Sequence, residues 1–240
     1  MCNVHRLLVA LFLILPSTGA YADTPESTRV ADPKQHASTG GGSYPYREKS
    51  DYVLRELDLK PGDVVVDIGA GDGWWAEKMA PCVGPEGTVH AGEVDQKKVD
   101  KMKERFADVP AVKPYLCPTD GTGLPENSCD LAFLSKTYHH LSDDGRVDYW
   151  RHLREVVRPT GRVCVIERHP GLAADEQGKK HGWSPGLLLQ QAEEAGWIAV
   201  RYELITGTYH FLAIFVQKDL FPPEPKPEKK PAADAPTETP

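Results

Sequence analysis

Between Val64 and Trp75 the chain reads VVVDIGAGDGWW, with an acid, Asp67, two residues ahead of the first of three glycines, Gly69, Gly71 and Gly73. Glycines at alternate positions let backbone come close to a ligand where a Cβ would collide. The spacing is G-x-G-x-G and not the dinucleotide G-x-G-x-x-G, and an acid just ahead of the glycines suits a cationic ligand better than a pyrophosphate. Further acids follow. Glu93 in VHAGEVD offers a carboxylate that can accept from both hydroxyls of a diol, with Asp95 two residues on as the alternative. Asp120 stands in CPTDGTGLP. Groups able to move a proton cluster in SKTYHHLSDD, which holds Lys136, Tyr138, His139 and His140. ERHPG adds Arg168 and His169, and the guanidinium either orients an anion or is simply solvated.

The elements that must carry these groups alternate along the chain. DVVVDI is an apolar run of strand length, and the glycines separate it from WWAEKMA, whose composition suits a helix. In open α/β sheets that strand-to-helix turn lies at the carboxyl edge, where ligands bind. GTVHAGEV reads as a second strand, and QKKVDKMKERF as a helix with Val99, Met102 and Phe106 on one face. AVKPYLC, CDLAFL and GRVCVIE supply three more strands. Before the last of these, DDGRVDYWRHLREVVRP makes an amphipathic helix closed by RPTG, with Asp143 and Asp144 as its N-cap. SPGLLLQQAEEAGW is a helix with Ser184 as N-cap and Pro185 at its first position. IAVRYELI and YHFLAIFVQ, separated by TGT, form a hairpin. Strands alternating with helices predict a mostly parallel sheet covered on both faces, with the hairpin adding an antiparallel strand. Trp74 and Trp75 read as packing residues, because indoles bury so much surface.

VVVDIGAGDG resembles motif I of the class I S-adenosylmethionine-dependent methyltransferases, and the resemblance continues in order through VHAGEVD, LPENSCDLAF, EVVRPTGRVCVIE and AEEAGW. It spans roughly residues 47–216. It implies a Rossmann-like, seven-stranded, mostly parallel α/β sheet with helices on both faces and a C-terminal antiparallel hairpin, and S-adenosyl-L-methionine as cofactor. Asp67, Gly69, Ala70, Gly71 and Gly73 would then approach the methionine moiety, Glu93 the ribose hydroxyls and Asp120 the adenine. The segment after the fourth strand would face the cofactor's methyl group, which makes His139 and Tyr138 candidates for acid or base work. His140 and Arg168 become candidates for holding the acceptor. There is no N-P-P-Y-like tetrapeptide after that strand, which disfavours methylation of amides or of amines on nucleobases.

The whole chain limits the partners. Its formal net charge is −7, and no basic cluster offsets the repulsion of a phosphate backbone, so nucleic acid is not an expected partner. His5 and Arg6, the apolar run Leu7 to Leu15 and the closing Ala20-Tyr21-Ala22 match a cleavable export signal over residues 1–22, too short for a lasting membrane anchor. The expected location is therefore periplasmic or secreted, or cytoplasmic if the leader does not act. Residues 23–46 read as a flexible linker, 47–218 as the folded domain and 219–240 as a Pro-rich disordered tail. Cys82, Cys117, Cys129 and Cys164 are expected as free thiols, one disulfide being the alternative, and the absence of C-x-x-C spacing speaks against a zinc site. No metal is expected, His36 and His181 having no partners at ligand spacing. The leading expectation is an enzyme that methylates a small molecule at oxygen, nitrogen or activated carbon. The alternative is a binding protein that keeps the pocket without turnover, and a nicotinamide-dependent oxidoreductase is disfavoured by the glycine spacing.

Overall fold

The computed structural model describes residues 45–172 and 182–222. The expected leader, nearly all of the linker, most of the Pro-rich tail and residues 173–181 lie outside the described residues. Seven strands, β1 (Val64–Ile68), β2 (Thr88–Glu93), β3 (Val112–Leu116), β4 (Cys129–Ser135), β5 (Val157–Arg168), β6 (Trp197–Leu204) and β7 (His210–Gln217), form one sheet in the order β3-β2-β1-β4-β5-β7-β6. The first five run parallel; β7 is antiparallel to both β5 and β6. This is the expected α/β architecture, terminal hairpin included.

Side-chain alternation along the strands divides the core in two. Val65, Val89, Ala91, Leu131, Phe133, Cys164, Ile166, Leu212 and Ile214 point to one face, covered by α1 (Ser50–Leu57), α2 (Trp74–Val83) and α3 (Gln96–Arg105). Val66, Ile68, Ala132, Leu134, Val163, Val165, Phe211, Ala213 and Phe215 point to the other, covered by α4 (Arg146–Val156) and α5 (Pro185–Glu194). The second half-core is built around Trp150, whose ring lies 4.8 Å from Phe215 and 5.8 Å from Trp197. Trp197 Nε1 donates to the Trp150 carbonyl at 3.0 Å, so the large rings are buried without an orphaned donor.

Local details add to these expectations or depart from them. α1 was not foreseen; Val53 and Leu57 bury its inner side, and Arg162 of β5 donates from Nε to its last carbonyl, Leu57 O, at 2.9 Å. Tyr46, the last residue of the expected linker, is buried within a 3₁₀ turn, Pro45–Lys49. Asp143 and Asp144 do not cap α4: they sit in a 3₁₀ turn, the capping position is Gly145, and Asp143 pairs with Arg146. Finally, α4 ends at Val156 rather than running into Arg-Pro-Thr-Gly. Pro159 disfavours helical backbone at Arg158, and Val157 already pairs with Cys129 in the sheet. Cys82, Cys117, Cys129 and Cys164 are all free, the last three buried.

Candidate active site

The β1–α2 turn is held by the strand beside it. The N–H groups of Gly69 and Ala70 both donate to Gly92 O at 2.9 Å, and that of Gly73 turns back to Ala70 O at 2.9 Å. Gly69, Gly71 and Gly73 have φ of 73°, 63° and 78°, values that a side chain makes costly. The three differ in their surroundings. A Cβ on Gly69 would meet Thr137 Oγ1 at 2.4 Å, and one on Gly73 would meet Phe106 at 2.5 Å, so both serve close packing. A Cβ on Gly71 would meet nothing within 4 Å. At Gly71 the loop therefore faces open space, as a ligand cradle requires.

Two acids on the α1–α3 face of the sheet flank this opening. Glu93, at the end of β2, is 5% exposed; its Oε2 accepts from Gly71 N at 2.9 Å and its Oε1 from Val94 N and Asp95 N at 2.9 and 3.2 Å. Asp95, the alternative, spends its carboxylate on capping α3, accepting from Lys97 N at 2.9 Å. The geometry thus separates two acids that spacing alone left open. Asp67 is 1% exposed and its Oδ2 has no hydrogen-bond partner. Burial, followed by the nearby Asp72 and Glu93 carboxylates, pushes its pKa up to about 7. A buried acid with one unpaired oxygen beside an open glycine cradle fits a ligand that brings positive charge. Asp120 is exposed in the loop after β3. That loop is pinned just beyond it: Tyr115 Oη donates to Thr122 O at 2.7 Å, and Thr122 N donates to His152 Nε2 of α4 at 2.9 Å.

The segment after β4 lies against the same loop through the Thr137–Gly69 approach. Lys136 takes φ of 56°, rare for a residue with a side chain, and donates its N–H to Ile166 O at 2.8 Å. The chain then enters a 3₁₀ turn, Tyr138–His140. His139 Nδ1 lies 3.0 Å from each carboxylate oxygen of Glu167, and its backbone N–H donates to Glu167 Oε1 at 3.2 Å. Glu167, the penultimate residue of β5, is fully buried. A carboxylate accepts only, so in the neutral ring Nδ1 carries the proton and Nε2 keeps a lone pair. This acid–imidazole pair can take a proton and hold the resulting cation. His140 is exposed, with its ring centroid 4.0 Å from that of His139.

Tyr138 does not join this group. It is 1% exposed in the α4–α5 half-core; its hydroxyl donates to Gln191 Oε1 at 2.8 Å and accepts from Trp150 Nε1 at 2.9 Å. In a 3₁₀ turn, adjacent side chains point about 120° apart, so Tyr138 and His139 leave in different directions. Trp75 is buried and donates from Nε1 to Ser135 Oγ at 3.0 Å, while Trp74 lies half-buried under the Arg47 guanidinium, 4.8 Å from the ring.

Sequence reasoning missed three residues. Glu167 was hidden at the end of an apolar run, although an acid in VCVIER is itself a signal, since charged groups are seldom buried without a partner. Tyr46 sits behind a Gly- and Ser-rich stretch that masks it. His210 begins β7 and is 4% exposed, with its ring centroid 4.4 Å from that of Tyr46.

Known proteins resemble this chain in sequence and fold. A family model described as a methyltransferase domain matches residues 65–161, which takes in the glycine turn, Glu93, Asp120 and His139. The chain is 26% identical over 117 residues to the ubiquinone/menaquinone biosynthesis C-methyltransferase UbiE of Cupriavidus pinatubonensis, a match covering 48% of this chain and 47% of that protein. Across the curated relatives it matches, it spans about half of their length or less. Among solved structures it is similar to a SAM-dependent methyltransferase from Aquifex aeolicus, with 25% identity, a TM-score of 0.64, and coverage of 71% of this chain and 92% of that one. The methyltransferase CcbJ from Streptomyces caelestis shares the fold at 19% identity, with a TM-score of 0.60 and coverage of 75% and 92%.

Proposed function

Because the chain belongs to the class I S-adenosylmethionine-dependent methyltransferase family, we propose that it methylates a small molecule whose nucleophilic atom gives up a proton to His139. The observation that carries this is the Glu167–His139 pair, set beside the glycine turn by the contact of Thr137 with Gly69. S-adenosylmethionine, when bound, supplies an electrophilic methyl group on a positively charged sulfur. The open cradle at Gly71 admits it, Asp67 complements its positive charge, Glu93 accepts from its ribose hydroxyls and Asp120 meets the adenine.

The protein's own contribution is positioning and proton transfer. Glu167 holds the imidazole through Nδ1 and leaves Nε2 to act as the base, and its buried negative charge stabilises the imidazolium that forms. Holding acceptor and donor in line lowers the barrier by about 7–11 kcal/mol at best, and exclusion of water preserves that gain. His140, beside His139 at the rim, and Arg168 bind the acceptor. Tyr138 has no part in the chemistry; it anchors the turn that carries His139.

The reaction is tested by incubating residues 23–240 with S-adenosylmethionine and acceptors bearing a hydroxyl, amine or activated carbon, and measuring S-adenosylhomocysteine release. Binding of S-adenosylhomocysteine by calorimetry without release in any mixture would favour the alternative, a binding protein. Residues 1–22 direct export in this proposal. Fusing them to a reporter active only outside the cytoplasm checks it, and a silent reporter would return the protein to the cytoplasm.

A further inference from the structure

The sheet has two edges, and the chain treats them differently. At one, β3 carries Lys113 and Pro114, an exposed cation and a residue with no N–H to offer a further strand. At the other, β6 pairs only with β7 among the described residues, and it holds neither lysine nor proline. A register shift between Ala199 and Arg201 marks the start of its regular stretch. Beyond it, Ile205 N donates to His210 O at 2.8 Å, so by alternation Glu203 and Arg201 also direct their N–H and C=O groups to β7. Tyr202 and Leu204 direct theirs outward, where no described strand takes them up.

The side chains of this edge are open as well. Tyr202 and Leu204 stand opposite Ala213 and Phe211, on the α4–α5 face, and are 41% and 46% exposed; Val200 is 52% exposed. The Tyr202 ring lies 5.5 Å from that of Phe211, at the margin of the half-core. Arg201 and Glu203 stand opposite Ile214 and Leu212, on the α1–α3 face. Arg201 donates to Glu203 Oε2 from Nη2 at 2.8 Å and from Nε at 3.1 Å, and it also pairs with Glu56 of α1. Charges on an edge strand ordinarily keep a second sheet away. Here they alternate in sign along one face, which makes the edge complementary to itself.

We propose that β6 is the contact surface for a second copy of this chain, the two edges pairing antiparallel about a two-fold axis at Tyr202. Opposed residues in such a pair share a face, and the charges choose the register. A register centred on Arg201 or on Glu203 sets like charges against each other on the axis. Centred on Tyr202, it sets Arg201 of each copy against Glu203 of the other, twice, and Leu204 against Val200. Tyr202 then exchanges both backbone hydrogen bonds across the axis, while Arg201 and Glu203 fall in the closer, non-hydrogen-bonded class of pair. Because the axis stands perpendicular to the sheet, the carboxyl ends of β1 and β4 in the two copies point in opposite directions, and neither glycine turn is covered. Two short strand edges bury less than the about 1,200–2,000 Å² of a stable interface, so the dimer is a weak, reversible one.

Sedimentation equilibrium of the full chain should show a reversible dimer with a dissociation constant of about 10–100 μM. Hydrogen exchange at Tyr202 N–H should slow by about threefold or more between about 5 μM and about 500 μM protein, a measurement that needs no variant. Glu203→Arg and Arg201→Glu should each weaken self-association by about tenfold or more, because like charges then meet twice across the axis. An equal mixture of the two variants should recover the association of the unaltered chain, since every opposition again unites unlike charges. Loss of side-chain structure in either variant alone could not produce that recovery. A chain that stays monomeric at about 500 μM, a Tyr202 exchange rate that does not change with concentration, or a mixture no tighter than either variant alone would overturn the inference.

Discussion

Two buried carboxylates beside the candidate site have opposite arrangements. Glu167 is fully satisfied by His139, so His139→Gln should lower turnover by about 10²- to 10⁴-fold with the dissociation constant for S-adenosylhomocysteine unchanged, as calorimetry can check. Asp67, with its orphaned oxygen, has a pKa raised from 3.8 to about 7. An acid raised by folding keeps its proton while the unfolded chain has lost it, so its destabilising effect is absent below about pH 4 and complete above about pH 7. Asp67→Asn should therefore raise the melting temperature at pH 8 but not at pH 4. A cationic ligand favours the ionised acid and binds with release of a proton. Affinity for S-adenosylmethionine should accordingly climb as pH rises toward about 7 and then level off, by up to about tenfold per unit, and Asp67→Asn should flatten that slope. A slope that persists in the variant would assign the titration to another group.

The strand-to-helix turn makes its own demands. Gly69 and Gly71 share a left-handed backbone, so each loses about 1–2 kcal/mol of stability on substitution by Ala. Only at Gly69 does the new Cβ also run into Thr137, and only at Gly71 does it enter open space. Thermal melts should thus show Gly69→Ala as the less stable variant. Gly71→Val should be folded and should fail to bind S-adenosylhomocysteine; normal binding would move the cofactor elsewhere. Most elements around this turn were legible from periodicity, because apolar runs of strand length and amphipathic helices record which side chains must leave water. α1 was not, since eight residues with two buried side chains carry little pattern. The end of α4 was not either, because Val157 is claimed by a strand 28 residues earlier in the chain.

The molecule as a whole has two half-cores, one on each side of a single sheet, and the large rings are concentrated in the α4–α5 half. Trp197→Ala should cost about 3–5 kcal/mol through the cavity and the lost bond to Trp150 O, measured by denaturant unfolding. The cysteines report on the same packing. Cys117, Cys129 and Cys164 are buried and their thiols are pushed up, chiefly by desolvation, whereas Cys82 is half-buried on α2. Residues 23–240 should show at most one reactive thiol when native and four when unfolded; fewer than four would reveal a disulfide. Sequence by itself determined the sheet class, the glycine turn with its preceding acid, and the segment that holds the candidate base His139, because backbone conformation and hydrophobic periodicity are local properties. Only the tertiary structure decided that Glu93 rather than Asp95 faces the turn, that Glu167 holds His139, that Tyr138 belongs to the core, and that Tyr46 and His210 meet. Those outcomes depend on which side chains are brought together from β2, β4, β5, β7 and the residues before α1, and contacts between segments far apart in the chain leave no local pattern to read.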